Sequence, residues 1–115
     1  MGIEESDIDP AQFLEDVEIR VGTVTSVDDF PEARKDVYKL EVDFGEETRQ
    51  SAAGLTDNYS KDQLQGRQVV AVVNLGTVNI AGFESQCLVI GVDDDNGDVV
   101  HLQPEQPVPD GSRIY

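Results

Sequence analysis

The stretch Val37-Tyr38-Lys39-Leu40-Glu41-Val42-Asp43-Phe44-Gly45-Glu46-Glu47-Thr48-Arg49-Gln50-Ser51-Ala52-Ala53 decides the fold class. Tyr38, Leu40, Val42 and Phe44 alternate with Lys39, Glu41 and Asp43. Apolar side chains therefore fall on one face of an extended chain and charged ones on the other. Gly45-Glu46 supplies a turn, and Thr48 to Ala53 returns as the partner strand.

The pattern continues outward in both directions. Upstream, Val17 to Val24 alternates as a half-buried strand, with Gly22 marking a bulge or barrel bend. Downstream, Val69 to Leu75 is almost continuously apolar and reads as a strand buried on both faces. Cys87 to Val92 is a further strand, and Asn96-Gly97 is a hairpin turn joining it to Val99–Leu102. Pro104, Pro107 and Pro109 force an extended segment, and Ser112 to Tyr115 gives a last short strand. Two helix starts interrupt this. Asp9 is an N-cap with Pro10 at N1, Gln12 at N3 and a staple of Ile8 on Phe13, opening a helix over about 10–14. Ser60 is the second N-cap, with Gln63 at N3, Tyr59 and Leu64 as staple, and Gly66 as stop. Five or six strands, with one short helix between the third and fourth, predict an all-β fold. The match is a five-stranded OB-type Greek-key barrel with a short N-terminal helix.

Composition bounds the function. The chain has 115 residues, enough for one domain, and a single cysteine, which excludes an internal disulfide and favours a reducing compartment. No apolar run approaches the ~20 residues that span a bilayer, and the acidic start has no signal-peptide layout. A cytoplasmic protein without membrane insertion is expected. Residues 1–8 are expected to be an acidic mobile segment ahead of a domain over 9–115. There are 24 acidic and 8 basic residues, a net charge of −16. Acidic pairs and runs sit where loops belong: Asp28-Asp29, Glu46-Glu47, Asp93-Asp94-Asp95. Such a surface repels itself in dilute buffer and is screened at molar salt, so a salt-rich interior is expected.

The inventory argues against catalysis and for a protein that binds. His101 is the only histidine, flanked by strand-forming Val100 and Leu102, and is expected on the strand's exposed face. Cys87 opens an apolar strand and reads as core. One Cys and one His cannot supply the four ligands of a structural zinc site. In Asp93–Asp98, setting Gly97 at the sixth position of a calcium loop puts Val92 first and Gln103 twelfth, where acidic ligands are required. No metal and no cofactor are expected.

An ordered set of motifs then narrows the reading. It comprises Asp16 to Val24, Phe30-Pro31-Glu32-Ala33-Arg34-Lys35, and Arg49-Gln50-Ser51-Ala52-Ala53-Gly54-Leu55. Leu64 to Leu75, Ile80-Ala81-Gly82-Phe83-Glu84-Ser85-Gln86, and Val99 to Gly111 follow. The set resembles the tRNA-binding domain family. Within it, Phe30 to Lys35 followed by Tyr38-Lys39-Leu40 and Val42 to Gly45, together with the ending from Val99 to Gly111, is most similar to the CsaA secretion chaperones. The resemblance spans about residues 12–115. It implies an OB-fold whose terminal extensions form a homodimer, with no activity and no cofactor. It implies tRNA or tRNA-like structured RNA as ligand; the alternative is unfolded polypeptide, as for a CsaA-like export chaperone.

The resemblance carries Arg34, Lys35, Arg49, Ser51, Asn74 and Ser85 to a ligand face. Phe83, between Gly82 and Glu84, is the best stacking residue. Plainer roles stay open for each: Asn74 and Ser85 as bonds to local backbone, Arg34, Lys35 and Arg49 as solvated side chains, Phe83 as a loop anchor. The sequence also departs from the pattern. Gly76-Thr77-Val78-Asn79 replaces a Pro-Pro-basic-basic stretch, Glu84 replaces a lysine and Leu88 a methionine. Three expected cations are thus missing, which weakens the phosphate term of RNA binding and leaves stacking, shape and hydrogen bonds.

Overall fold

The computed structural model describes residues 2–115; Met1, part of the expected mobile segment, lies outside them. The elements run α1 (Pro10–Asp16), β1 (Ile19–Asp29), β2 (Tyr38–Asp43), β3 (Thr48–Ala53), α2 (Lys61–Leu64), β4 (Gln68–Val72), β5 (Val78–Ile80), β6 (Phe83–Ser85), β7 (Leu88–Val89), β8 (Gly91–Asp93) and β9 (Val99–His101). The main sheet has the order β3-β2-β1-β4-β7, all antiparallel. β1 serves two neighbours: Ile19–Thr23 pairs with β4, and Thr23–Asp29 pairs with β2. This division bends the sheet towards a barrel.

Side chains and loops close it. Gln86 donates its N–H to the Gln50 carbonyl at 2.8 Å, and Gln50 donates its N–H to the Gln86 side chain at 3.0 Å. The expected all-β, nearly closed five-stranded OB-type barrel with two short helices is the fold observed, and α2 lies between β3 and β4. Tyr38, Leu40, Val42 and Phe44 point inward as the alternation requires, joined by Val24, Leu64, Val69 and Ala71. Each fully buried aliphatic side chain stabilises the barrel by about 1.5–3 kcal/mol.

α2 opens with the full capping box: Ser60 accepts from the Gln63 N–H, and the Gln63 side chain accepts from the Ser60 N–H. α1 is longer than expected, and Asp9 caps the Ala11 N–H instead of completing a box with Gln12. Ile8 is 59% exposed, so it forms no buried staple. The bulge of β1 falls between Val24 and Ser26, not at Gly22. Gly22 is instead a close approach, where a Cβ would sit 2.6 Å from the Val42 methyl and 2.9 Å from the Asp43 carbonyl.

The expected strand 87–92 is two strands. At Ile90 the chain stops pairing with β4 and begins pairing towards β9. The β8–β9 turn is also different: Gly97 has φ +81° but Asn96 does not have positive φ, and the Gly97 N–H donates to the Asp94 carbonyl. His101 corrects the sequence reading, being only 5% exposed. Val100 and Leu102 face outward, while the His101 ring turns in against Tyr59 with centroids 5.0 Å apart. Ser112–Tyr115 contributes a bridge, Arg20 to Arg113, in place of a strand.

Candidate nucleic-acid interface

Antiparallel register sorts the outer surface of the sheet. Ser26 faces Glu41, Asp28 faces Lys39, and Glu41 faces Gln50 across β1, β2 and β3. Leu40 points into the core, so its neighbours Lys39 and Glu41 must point out. In OB barrels this outer face of the second and third strands, with the first and fourth connections beside it, is where oligonucleotides lie. Here the first connection is residues 30–37, and the fourth is residues 73–87, which fold into the β5–β6 hairpin.

The hairpin brings Phe83 onto this face. The Ser85 hydroxyl accepts the Ala52 N–H at 3.1 Å, and the Gln50 amide donates to the Glu84 carbonyl at 2.9 Å, which fixes β6 beside β3. Phe83 is half-buried in β6 rather than in a loop, and packs edge-to-face on buried Phe30, with ring centroids 5.4 Å apart. The Lys39 ammonium lies 5.2 Å from the Phe30 centroid and 6.0 Å from that of Phe83. A depression of about 320 Å³ opens there, lined by Ser26, Asp28, Lys39, Glu41, Gln50 and Phe83.

The other residues expected at the site divide into three groups. Arg34 and Lys35 are exposed in the first connection, with no hydrogen bond or ion pair among the described residues. Arg49 and Asn74 sit towards the opposite end of β2 and β3, since Arg49 pairs with Val42. Arg49 donates to the Glu47 carboxylate at 2.9 Å and to the Val73 carbonyl at 2.5 Å. The Glu47 hydrogen bond holds the Arg49 pKa above its ordinary value, and Arg49 lowers that of Glu47. Asn74 clamps α1 to β4: it accepts the Glu18 N–H at 2.8 Å and donates to the Asp16 carbonyl at 2.9 Å. Ser51 is 1% exposed and donates to the Cys87 carbonyl at 2.8 Å, so it offers no atom to a surface ligand. A second cleft of about 470 Å³ includes Arg20, Arg49, Glu18, Glu46 and Asp110 in its lining.

Lys39 is the member that sequence reasoning missed. Its signal was present in the alternation, which places it outward between two core residues, but of its two aromatic partners Phe30 comes from the adjoining connection and Phe83 from the distant β5–β6 hairpin. Five of the eight cations are engaged internally. Arg20 and Arg49 hold carboxylates and carbonyls, Lys61 holds Asp29 at 2.7 Å, Arg113 holds the Leu14 and Val17 carbonyls, and Arg67 holds the Gln63 carbonyl. The three without a hydrogen-bond partner among the described residues, Arg34, Lys35 and Lys39, all fall between β1 and the start of β2.

A small OB-type barrel with cations that have no hydrogen-bond partner among the described residues, and a half-exposed aromatic ring, on the face that OB folds use for ligands has the build of a binding module. Its sequence matches the family described as "Putative tRNA binding domain" over residues 19–113, and the chain belongs to that tRNA-binding domain family. Among curated relatives, the methionine–tRNA ligase of Thermococcus onnurineus is 42% identical over 98 residues, covering 85% of this chain. That of Methanocaldococcus jannaschii is 32% identical over 102 residues, covering 89%. The chain spans only 13% and 16% of the lengths of these ligases. Among solved structures, the chaperone CsaA of Bacillus anthracis is 42% identical with a TM-score of 0.87, covering 96% of this chain and all (100%) of that one. A methionyl-tRNA-synthetase-related protein of Pyrococcus horikoshii is 30% identical with a TM-score of 0.84, over 96% and 100% of the two chains.

Proposed function

We propose that this chain is a non-catalytic protein that binds tRNA or tRNA-like structured RNA on the outer β1–β2–β3 face. The observation that carries the reading is the position of the free cations. In a chain of net charge −16, the three cations without a hydrogen-bond or ion-pair partner among the described residues converge on the first connection and β2. Arg34 and Lys35 contact phosphates, and Lys39 and Phe83 contact bases. Ser51 and Ser85 shape this surface through side-chain bonds to backbone, while Arg49 and Asn74 brace the opposite end of the barrel. The protein acts in a reducing, salt-rich cytoplasm, a reading supported by the lone thiol of Cys87 and the acidic surface. Among the described residues no helix is long and apolar enough to cross a membrane.

The chain is proposed to work as a homodimer. Support comes from an exposed apolar row, Leu88, Val92, Val100 and Leu102, in which Val92 and Val100 are register partners. The same row favours a second reading: if the chain is monomeric, that surface is free for unfolded polypeptide, the ligand of a CsaA-like export chaperone. Fluorescence anisotropy in molar KCl with labelled total tRNA and, separately, a labelled unfolded polypeptide tests both. Saturable tRNA binding weakened by Arg34→Ala with Lys35→Ala establishes the RNA reading. Polypeptide binding alone, by a monomer in sedimentation, replaces it.

A further inference from the structure

We infer that the depression between Lys39, Gln50 and Phe83 is a subsite for one unpaired nucleobase with a donor-rich edge, guanine before the others; the inference rests on the RNA reading above. At about 320 Å³ it lies at the low end of ligand-site volumes, which suits a single planar base and not a duplex. Phe83 is braced from behind by Phe30, so its ring is a fixed platform. Unpaired bases are recognised by stacking on such rings and by hydrogen bonds to their edges.

The polar lining sets the preference. The Lys39 ammonium has no acceptor among the described residues, and its donors are available to O6 and N7 of a purine. Asp28 stands opposite Lys39, and Glu41 is the next outward residue along β2. The Ser26 hydroxyl takes up Glu41 Oε2, which leaves Oε1. Gln50 gives one of its two amide N–H groups to Glu84, which leaves its oxygen and one N–H. Free acceptor oxygens, two on Asp28 and one each on Glu41 and Gln50, thus outnumber the two donor nitrogens, Lys39 Nζ and Gln50 Nε2. Guanine presents adjacent N1–H and N2–H donors beside an O6 acceptor; uracil presents one donor. The same two carboxylates repel phosphate, which directs the backbone to Arg34 and Lys35 on the adjoining connection. Stacking and edge hydrogen bonds also persist at molar salt, where phosphate attraction is screened.

The test is anisotropy in molar KCl with 5′-fluorescein hexaribonucleotides UUUGUU and UUUUUU, alongside total tRNA. The guanine hexamer is expected to bind at least about fivefold tighter. Phe83→Leu and Lys39→Met are expected to weaken the guanine hexamer, and Asp28→Asn with Glu41→Gln to abolish the preference. The last pair leaves the ring packing untouched, so it decides the matter if Phe83→Leu is poorly folded by circular dichroism. Binding of tRNA with equal affinity for the two hexamers overturns the subsite and leaves the RNA reading standing. Failure of tRNA and hexamers together overturns both. A labelled polypeptide that loses affinity in Phe83→Leu while the hexamers do not assigns the depression to protein, which also overturns the inference.

Discussion

Gln68 holds Val108 by both of its backbone groups: the side-chain amide donates to the Val108 carbonyl at 2.7 Å, and the Val108 N–H donates to the Gln68 side-chain oxygen at 3.1 Å. One side chain thus does the work of a strand partner. It starts the C-terminal arm on its path along β1, where Gly111 donates to the Val21 carbonyl and Ile114 to that of Ile19. Gln68→Ala is expected to cost about 1–3 kcal/mol, because it orphans both Val108 groups. Gln68→Glu should cost more, since its carboxylate would face the Val108 carbonyl and Asp110. Urea unfolding gives the order, and hydrogen exchange should show Val108, Gly111 and Ile114 losing protection ahead of the barrel.

Cys87 gives stability an alkaline dependence. Burial pushes its thiol up to about 11, against smaller opposing effects of Ser51 and Arg49. In the unfolded chain a thiol ionises near 8.5. The native state therefore keeps the proton while the unfolded chain releases it, and stability falls as pH rises from about 9 to about 11. Below that window the contribution is constant. Cys87→Ala is expected to be less stable throughout from lost packing, yet to show a shallower decline by about 1–3 kcal/mol across the window. Equal slopes for the two proteins in urea titrations at each pH would refute the assignment.

What the sequence made legible is what local spacing controls. Tyr38-Leu40-Val42-Phe44 told its inward face by alternation, and Ser60 with Gln63 announced α2 by the capping box. What stayed hidden depends on which distant segment arrives. His101 obeys the same alternation as its neighbours but in the opposite phase, because the Tyr59 ring waits inside. A phase error of one residue exchanges the faces. Arg49 and Asn74 looked like ligand contacts, but their partners, the Val73 carbonyl and the α1 exit, lie 24 and 58 residues away in the chain. Lys39 looked like ordinary surface for the same reason: Phe83 reaches it from the far side of β4.

The β5–β6 hairpin was also silent, because its turn uses an unusual residue. Ala81 and Gly82 both have positive φ, +48° and +87°, the conformation of a two-residue type I′ loop. Glycine adopts it freely, but alanine pays a steric cost that asparagine largely avoids. Ala81→Asn is expected to stabilise the protein by about 0.5–1 kcal/mol, read as a raised melting temperature. Ala81→Gly should gain less, because it also loosens the unfolded chain. A lower melting temperature for Ala81→Asn would mean that the loop takes another form in solution. This hairpin carries Phe83, so tightening it should also leave the base platform intact.

Salt is expected to stabilise the fold, and the acidic β8–β9 loop shows why. The described residues hold three ion pairs, Arg20–Glu18, Arg49–Glu47 and Lys61–Asp29, all partly exposed and each worth about 1 kcal/mol at most. Screening them loses little. Repulsion is the larger quantity. At the loop, burial and the nearby Asp57, Asp94 and Asp93 raise the Asp98 pKa. Asp94 instead has its pKa lowered, chiefly by the Asp98 N–H and then by the Asn58 side chain. Melting temperature should therefore climb by at least about 5 °C between dilute and molar KCl. Asp98→Asn should raise it in dilute buffer and lose that advantage in molar KCl. Asp94→Asn should lower it at both, because Asp94 organises the loop and Asp98 only crowds it. Calorimetry of the three proteins at two salt concentrations separates these cases: an Asp98→Asn gain that persists at molar salt would come from local packing and not from charge.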